Sequence, residues 1–559
     1  MATLQKKTSH GRTYWYLVES RRVGGKPRPV VLAYLGRPED LLRRLQGARE
    51  ALHLRSVSHG AVAALKALSD ELGLVDVINT RVPIGAKCRD GLTVGESLVL
   101  IAIGRACRPT SKRGWSAWAK TTSVESLFRV DPGRLSSQHF WDQMHEVPEP
   151  ALASIEQEIV KRVVERYEIS LESVFYDTTN FFTFIASENA NTTLAQRGHS
   201  KQKRHDLRQL GMALLVSRPD RVPLLHEVYE GSRPDAKQFP EVLTRLRERL
   251  AALTDSVEKI TIVYDKGNNS KANQARVDES SFHYVASLVP AAYRDLIAEA
   301  NERLESVELR SGERVPVYRT RRSLWKQQRT LLVVVSERLR QGQLRGLAQH
   351  LDKARRALST LKDELQSPRA LSRRREVIEE KIASTLRGQF LKGILRVTLE
   401  ETSAGHFRLQ FDEDEEAKRH LAEKFFGRRI LMTDREDWPS EDIIGAYRGQ
   451  SEVERTFRDL KDPYHLSVRP TFHWTDQKLR VHTFCCVLGY LLVKILEKKA
   501  RRAIDYRGTA GGLIEQLSSI RQVTLLEQRK GPGKPRVCTQ LETIDPEAEE
   551  LASALGITP

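Results

Sequence analysis

The stretch that decides the fold is Ile260-Thr261-Ile262-Val263-Tyr264-Asp265, an unbroken apolar run that ends in one carboxylate. Its length and its β-branched residues predict a strand that is buried on both faces, as in a sheet covered by helices. Small polar residues follow Asp265 and indicate that the chain leaves the sheet there. The sequence therefore places Asp265 at a strand end, where sheets flanked by helices hold their sites.

A second strand end of the same form lies 88 residues upstream, where Val174-Phe175-Tyr176 runs into Asp177. Either aspartate alone could make an Asx turn or cap a helix. Two similar strand ends in one pattern of alternating strands and helices instead favour a shared acidic site.

Strand and helix patterns alternate around these aspartates. Residues 211–216 and 222–229 predict a hairpin, residues 236–253 a helix, and residues 283–288 a further strand. This order predicts an α/β fold in which helices flank a mixed sheet.

Residues 447–461 read Tyr-Arg-Gly-Gln-Ser-Glu-Val-Glu-Arg-Thr-Phe-Arg-Asp-Leu-Lys and predict a helix with a polar stripe. At about 100° per residue, four side chains fall within roughly 60° of one another. They are Tyr447, Gln450, Glu454 and Lys461. A stripe that faced a core would be apolar, so this one indicates a site.

Two glutamates compete for the role of third carboxylate. Glu452 and Glu454 differ by about 200° in direction, so only one can share the stripe with Tyr447. Glu454 lies about 20° from Tyr447, whereas Glu452 lies about 140° away, which selects Glu454. The structural alternative is a capping box formed by Ser451 and Glu454.

Three carboxylates from two strand ends and one helix fit a pair of divalent cations. Mg²⁺ binds oxygen ligands, and two such ions can activate a nucleophile and stabilise the leaving oxygen in phosphoryl transfer. We therefore predict Asp177, Asp265 and Glu454 as catalytic residues and as ligands of two Mg²⁺ ions, with Mn²⁺ as a substitute.

The chain is strongly basic, with 91 Lys and Arg against 73 Asp and Glu, a net charge of +18 and a pI near 9.6. Such an excess attracts polyanions, with nucleic acid the first candidate and an anionic membrane surface the second. The five cysteines show no metal-ligand spacing, no signal peptide is visible, and the most apolar run, residues 484–493, is too short for a bilayer. We expect a cytoplasmic protein without a membrane partner.

Cations near the predicted site suit contacts with DNA phosphates. Lys201 and Arg204 belong to a basic loop that follows Asp177, and Arg458 lies one turn from Glu454. The alternatives are a solvated charge run for the loop and a surface ion pair for Arg458.

The patterns divide the chain into six regions. Tryptophans and cations are mixed in the second of them, which suits DNA contact, although tryptophans in helical domains are often core residues. These residues are Lys112, Arg113, Lys120, Trp115, Trp118 and Trp141. The regions are an N-terminal β-hairpin region (1–55), a helical DNA-binding domain (56–168), the first part of the core (169–290), a mostly helical insertion (291–428), the second part of the core (429–499) and a C-terminal tail (500–559).

These motifs resemble the bacterial insertion-sequence transposases of the DDE type, in the group with the signature Tyr-(2)-Arg-(3)-Glu-(6)-Lys. Tyr447, Glu454 and Lys461 match its spacing, while Gln450 stands where the group usually has Arg. The Tyr-Asp strand ends, the basic loop at 198–207 and the segment Arg469-Pro470-Thr471-Phe472-His473-Trp474 also resemble this group.

The resemblance implies an RNase H-like core, with the insertion placed before the helix that carries Glu454. It implies metal-dependent cleavage at the element ends and attack of the freed 3′-hydroxyl on target DNA. Tyr447, Gln450 and Lys461 would contact DNA at the cleavage site. Either Arg448 or Arg458, of which Arg458 is closer in direction, would replace the charge missing at Gln450, or this copy has a weakened activity.

The implied partners are the double-stranded DNA of the element ends and of the target. The protein would act as a homodimer or a higher synaptic complex, associated with the nucleoid of a bacterial cytoplasm when bound to DNA. Two alternatives stay open: a structure-selective nuclease that cuts without joining, and a DNA-binding protein derived from a transposase that has lost catalysis.

Overall fold

The computed structural model of the chain describes residues 2–23, 26–39, 41–42, 53–198, 204–254, 256–367, 374–403, 405–527 and 536–558. Lys201 lies outside these ranges, as do Gly24 and Gly25 of the predicted N-terminal β-hairpin region and residues 530–535 of the predicted C-terminal tail. A nine-stranded mixed sheet with helices packed around it dominates the described residues, in agreement with the expected α/β class.

An N-terminal sheet precedes the rest of the molecule. It consists of β1 (Ala2–Ser9), β2 (Arg12–Val23) and β3 (Lys26–Gly36), paired antiparallel in that order. The predicted β-hairpin corresponds to β2 and β3. Strand β1 was not predicted, because Leu4 is its one large apolar residue and gives no alternating pattern. Leu4 and Tyr34 are exposed, and no described residue of this sheet belongs to a hydrophobic core cluster.

A helical region follows strand β4 (His53–Ser58). Its helices are α1 (Gly60–Glu71), α2 (Leu74–Asn79), α3 (Val94–Cys107), α4 (Lys112–Ala119), α5 (Val124–Phe128), α6 (Ser137–His145) and α7 (Glu149–Tyr167). Trp115 and Trp118 are buried and pack edge-on against each other, and Lys112 is buried with them. The prediction that these three side chains contact DNA is therefore wrong, because they are buried inside the protein. Tryptophans bury a large apolar area and often belong to the core of a helical domain.

The middle of the chain builds one half of the large sheet. Its strands are β5 (Ser173–Phe182), β6 (Gln209–Ser217), β7 (Pro223–Glu230), β8 (Thr261–Tyr264) and β9 (His283–Leu288). They pair in the order β7-β6-β5-β8-β9, with β5, β8 and β9 parallel and the hairpin β6-β7 antiparallel. Helices α8 (Asp235–Ala251) and α9 (Lys271–Asp278) connect β7 to β8 and β8 to β9.

The first third of the predicted insertion, residues 291–428, is not mostly helical, because three strands in it extend the large sheet. After α10 (Arg294–Glu302) the strands β10 (Glu305–Glu308), β11 (Arg314–Leu324) and β12 (Gln327–Val335) extend the large sheet. The arginines of β11 obscure its alternation, because one face of this strand is solvated.

The rest of the insertion has a hydrophobic core of its own. It comprises α11 (Glu337–Gln366), α12 (Arg375–Thr385), β13 (Leu395–Ser403), β14 (His406–Glu413) and α13 (Glu415–Lys424). Leu351 and Leu358 of α11 are buried in this separate cluster with Leu409 of β14. The chain then returns to the sheet through β15 (Arg428–Thr433), which lies between β12 and β9.

Three helices follow, namely α14 (Ser440–Arg448), α15 (Gln450–Asp459) and α16 (Asp476–Ile504). Among the helices that the structure describes, α16 alone is long and apolar enough to cross a bilayer, but 94% of its most apolar window is buried inside the protein. At Gly489 a Cβ would lie 2.6 Å from the carbonyl oxygen of Ala102, so α3 and α16 approach closely. Helix α16 is therefore a central core helix.

The predicted C-terminal tail folds back onto the helical region. Its elements are α17 (Ala510–Ser519), β16 (Arg521–Glu527), β17 (Arg536–Leu541) and α18 (Pro546–Ala554). Strand β16 pairs with β4, and Leu513 and Leu551 join the main core. Such long-range pairing leaves no local signal in the sequence, so the description as a tail is corrected.

Two buried histidines predict a loss of stability on acidification. The rings of His473 and His482 lie 4.4 Å apart, and burial together with the nearby charges of Lys112 and Arg105 lowers both pKa values well below their usual range. An unfolded chain protonates these groups near pH 6.5, so acid favours the unfolded state and stability is complete only above that pH. We expect the free energy of unfolding in urea to be about 2 to 3 kcal/mol lower at pH 5.5 than at pH 7.5.

Matched variants separate this effect from general acid sensitivity. His473→Phe removes one buried titrating group and should reduce the difference between the two pH values, whereas exposed His145→Gln should leave it unchanged. An equal pH dependence in both variants would contradict the assignment.

Candidate active site

Asp177 lies within β5, and Asp265 is the residue that follows β8, the parallel neighbour of β5. The register pairs Phe175 of β5 with Val263 of β8, and continuing it by two residues aligns Asp177 with Asp265. Adjacent strands are about 4.8 Å apart, and residues an even number of positions apart emerge on one face. Both carboxylates therefore lie on one face of the sheet.

Hydrogen bonds hold Asp265 as a carboxylate. The hydroxyl of Ser287 donates to its Oδ1 at 2.7 Å, and the hydroxyl of Tyr447 donates to the same oxygen at 2.8 Å. Burial raises the pKa of Asp265. The two hydrogen bonds and the neighbouring Lys266 lower this pKa by a larger amount, so it lies below its usual value. The sequence pattern did not identify Ser287, although a small polar residue near the end of an apolar strand is the available signal.

Tyr447 connects the helices to the sheet edge. Burial and the charge of Asp265 raise the pKa of Tyr447 above its usual range, so the phenol keeps its proton and acts as a donor. The guanidinium carbon of Arg429 lies 5.0 Å from the centre of its ring. These contacts fix the end of α14 beside Asp265.

Helix α15 begins directly against β5. Gln450 is buried and its Nε2 donates to the carbonyl oxygen of Tyr176, the residue before Asp177, at 3.0 Å. At Gly449 a Cβ would lie 2.3 Å from Cζ of Phe175, so the helix junction fits against the strand only without a side chain. Gln450 is thus an interior residue that holds the strand carrying Asp177.

Lys461 reaches the same strand from just beyond α15, because the helix predicted over residues 447–461 is divided at Gly449 and ends at Asp459. Its ammonium donates to Oγ1 of Thr179 at 2.5 Å and lies 5.4 Å from the ring of Phe181. Tyr447 therefore contacts Asp265, and Gln450 and Lys461 contact β5 on either side of Asp177. The predicted strand end at Asp177 is wrong, because β5 continues through Asp177 to Phe182.

The two candidate glutamates have different surroundings. Glu454 is exposed and forms no hydrogen bond or ion pair with the described residues. It lies one turn from Gln450, on the same face of α15. Glu452 is turned toward Arg221, at 3.7 Å, and pairs with Arg455 at 3.4 Å. The capping-box alternative is wrong, because Gly449 is the N-cap and no side chain caps the helix. The catalytic role of Glu454 stays a prediction.

The remaining predicted DNA contacts are only partly placed. Arg458 is exposed on α15, and Arg204 forms an ion pair with Asp206 at 2.7 Å while lying over the ring of Phe182. Lys201 lies outside the described residues. Their roles stay predictions.

A buried ionic network behind α15 was not expected from the sequence. Arg221, in the turn between β6 and β7, lies 3.2 Å from Asp459, 3.7 Å from Glu452 and 3.8 Å from Glu497. Lys494 and Glu497 of α16 form an ion pair with both side chains buried. The available signal is this pair of charges, three residues apart at the end of an apolar run in α16.

The donor set fits divalent cations. Within the described ranges, no three His, Cys, Asp or Glu side chains are close enough together to hold a metal ion. Mg²⁺ nevertheless usually binds through one or two carboxylates and the phosphates of its substrate, and the aligned Asp177 and Asp265 supply such a pair.

The sequence matches the transposase DDE domain family over residues 187–488, and the N-terminal domain of the IS1634 family of transposases over residues 3–61. The first match spans more than half of the chain, so the chain belongs to the transposase DDE domain family. It includes Asp265 and Glu454 and begins after Asp177. Together the two matches identify an insertion-sequence DDE transposase.

Solved structures of transposases show a distant similarity. The piggyBac transposase synaptic complex with hairpin DNA is 8% identical, over 81% of this chain and 79% of that chain, with a TM-score of 0.39. The Mos1 transposase paired-end complex with left transposon end is 12% identical, over 38% and 62%, with a TM-score of 0.16. A comparison with curated proteins gives no match.

Proposed function

We propose that this transposase cuts DNA at the ends of its element and joins the freed 3′-hydroxyl to target DNA, with divalent cations at Asp177, Asp265 and Glu454. The observation that carries the proposal is the aligned pair of aspartates. The helical segment that holds Asp265 through Tyr447 continues into the helix that bears Glu454.

The five strands β5 to β9 form, in this proposal, the RNase H-like core. Their order β7-β6-β5-β8-β9 puts the strands of the two aspartates next to each other. In this proposal Glu454 of α15 supplies the third carboxylate when metal and DNA are bound. Residues 291–428 lie before the Glu454 helix, as expected for the insertion, although part of them extends the sheet.

Bound Mg²⁺ or Mn²⁺, as two ions, would supply charge stabilisation at the scissile phosphate and lower the pKa of the attacking hydroxyl. The protein residues around them position the ligands. Tyr447 and Ser287 hold Asp265, while Gln450 and Lys461 hold the strand of Asp177. Exposed Arg458 remains available for a DNA phosphate and carries the charge that Gln450 lacks.

Two DNA ends must be held together for coupled cleavage and joining. We therefore infer a homodimer or a higher synaptic complex on double-stranded DNA in the bacterial cytoplasm and nucleoid. The net charge of +18 supports binding to the phosphate backbone.

The proposal is tested with purified protein and DNA that carries the flanks of its coding sequence. With Mg²⁺ we expect nicked ends and joined products on a gel, both lost with a chelator and restored by excess Mg²⁺. Cleavage without any joined product would show a nuclease instead. Binding without cleavage in either Mg²⁺ or Mn²⁺ would show a DNA-binding protein that has lost catalysis.

A further inference from the structure

A patch of exposed aromatic side chains lies where the chain continues beyond β5, the strand of Asp177. Phe184, Phe472 and Trp474 are 46%, 41% and 60% exposed, although large apolar side chains are usually buried. With the half-buried Phe182 they form what we call the aromatic platform. Contiguous exposed apolar surface of this kind marks an interaction site.

Two extended segments build the aromatic platform. The backbone N–H of Phe184 donates to the carbonyl oxygen of Thr471 at 3.0 Å, so the continuation of β5 runs beside the segment that follows α15. Thr471 and His473 are buried while Phe472 and Trp474 are exposed, which is the alternation of an extended chain with one buried face. The aromatic rings therefore share the outer face.

Three rings of the platform, Phe182, Phe184 and Phe472, are held in fixed mutual orientations. Phe184 and Phe472 are stacked with ring centres 5.3 Å apart, and Phe182 stands perpendicular to Phe184 at 5.6 Å. Aromatic pairs with this geometry stabilise each other beyond their buried area. The platform is thus preorganised to receive another flat ring.

Cations surround the platform and link it to the candidate active site. The guanidinium carbons of Arg469 and Arg204 lie 4.5 Å and 5.5 Å from the centre of Phe182. Arg469 also donates to the carbonyl oxygen of Lys461 at 2.8 Å. Phe182 lies five residues beyond Asp177 on β5, or about 16 Å along the strand.

A polar pocket of about 440 Å³ borders the platform. Its lining includes Arg197 and Arg208, and Arg208 donates to the carbonyl oxygen of Asn189 at 2.8 Å. The side-chain amide of Asn189 in turn donates to the carbonyl oxygen of Trp474 at 3.1 Å. Aromatic rings stack with flat bases, and guanidinium groups bind phosphates. A surface with both therefore suits a nucleic acid better than it suits the apolar surface of a partner protein.

We propose that the aromatic platform binds unpaired nucleotides at the DNA ends, with bases stacked on Phe184, Phe472 and Trp474. Bases inside a duplex have both faces covered by their neighbours, whereas unpaired bases expose both faces for stacking on these rings. Arg204 and Arg469 contact the phosphates of the same strand. The inference rests on the proposed function for the origin of those ends, because cutting or opening an element end exposes such nucleotides.

Binding is measured by fluorescence anisotropy with a chelator present, so that no cleavage occurs. The probes are a 25-base-pair blunt duplex and a 20-base-pair duplex with a single-stranded tail of five thymidines. Phe472→Ala and Trp474→Ala should each weaken binding to the tailed probe about tenfold and leave the blunt probe unchanged. Trp474→Phe keeps a flat ring and should retain most of the affinity.

Val377→Ala is the control, since Val377 is 42% exposed on α12 and belongs to the insertion. It should affect neither probe, and thermal unfolding of each variant shows that the fold is intact. Equal losses on both probes, no loss on either, or a change of oligomeric state in sedimentation in place of a loss of affinity would overturn the proposal. Absence of metal-dependent cleavage alongside an intact tail preference would instead refute the proposed function alone.

Discussion

Asp265→Asn is expected to abolish both cleavage and joining, with a fall in rate of about 10³-fold or more, while DNA binding is retained. The substitution keeps an oxygen that can accept the hydrogen bonds of Ser287 and Tyr447, so the fold is preserved. It removes the negative charge that a divalent cation needs, and that cation contributes several kcal/mol to transition-state stabilisation. Asp177→Asn and Glu454→Gln should have the same effect, measured as single-turnover cleavage with Mg²⁺.

Glu452→Gln is the matched control, because it makes the same change two residues from Glu454 on the same helix. Glu452 lies in the network of Arg221 and is directed away from the sheet edge, so this variant should cleave within about tenfold of the natural protein. Cleavage that survives in Glu454→Gln but is lost in Glu452→Gln would contradict the choice of glutamate. A Mn²⁺-dependent rise in Tm, present in Glu452→Gln and absent in Asp265→Asn, would separate loss of metal from loss of fold.

The strands that carry the aspartates were predictable because their signals are local. Val174-Phe175-Tyr176 and Ile260–Tyr264 are short apolar runs followed by polar residues, and such runs are buried wherever the chain folds into a covered sheet. Helical geometry also predicts that Glu452 and Glu454 lie on different sides of the helix, since residues two apart differ by about 200°, whereas the role of Glu454 stays a prediction.

Features made by distant segments could not be predicted. Strand β16 pairs with β4, and Nε of Arg521 donates to the hydroxyl of Ser56 at 2.7 Å across 465 residues of sequence. Strand β11 extends the large sheet, although its arginines interrupt the alternation of apolar and polar residues that is typical of a strand. Pairing partners of this kind are set by the whole fold, which periodicity within one window does not describe.

Gln450 shows how position changes the meaning of a motif. In the sequence Gln450 stands where the resembled transposases usually have Arg, and the loss of this positive charge predicts weaker binding to DNA. In the structure its amide donates to the carbonyl oxygen of Tyr176 and its side chain is buried. The substitution therefore removes a charge from an interior position, where an unpaired guanidinium would be costly. Activity of this copy then depends on whether Arg458 supplies the cation from the exposed face of α15.

Arg221→Ala is expected to lower the free energy of unfolding by about 3 to 5 kcal/mol, the cost of removing one partner from a buried ion pair. The side chain of Arg221 is 14% exposed and lies between Asp459, Glu452 and Glu497, which come from α15 and α16. Burial raises the pKa of Asp459, and Arg221 is the charge that most opposes this rise. Without it, carboxylates from two packed helices repel each other, and α15 loses the contact that fixes it behind the sheet edge.

Arg218 provides a control from the same turn, because it is exposed and donates to the carbonyl oxygen of Gly445 at 3.0 Å. Arg218→Ala should change the free energy of unfolding in urea by about 1 kcal/mol or less. Adding Asp459→Asn to Arg221→Ala removes one of the repelling charges and should recover part of the lost stability. If Arg221→Ala and Arg218→Ala unfold alike, or if Asp459→Asn recovers nothing, the network does not hold α15. If stability recovers while cleavage stays low, Arg221 positions the helix of Glu454 beyond its contribution to the fold.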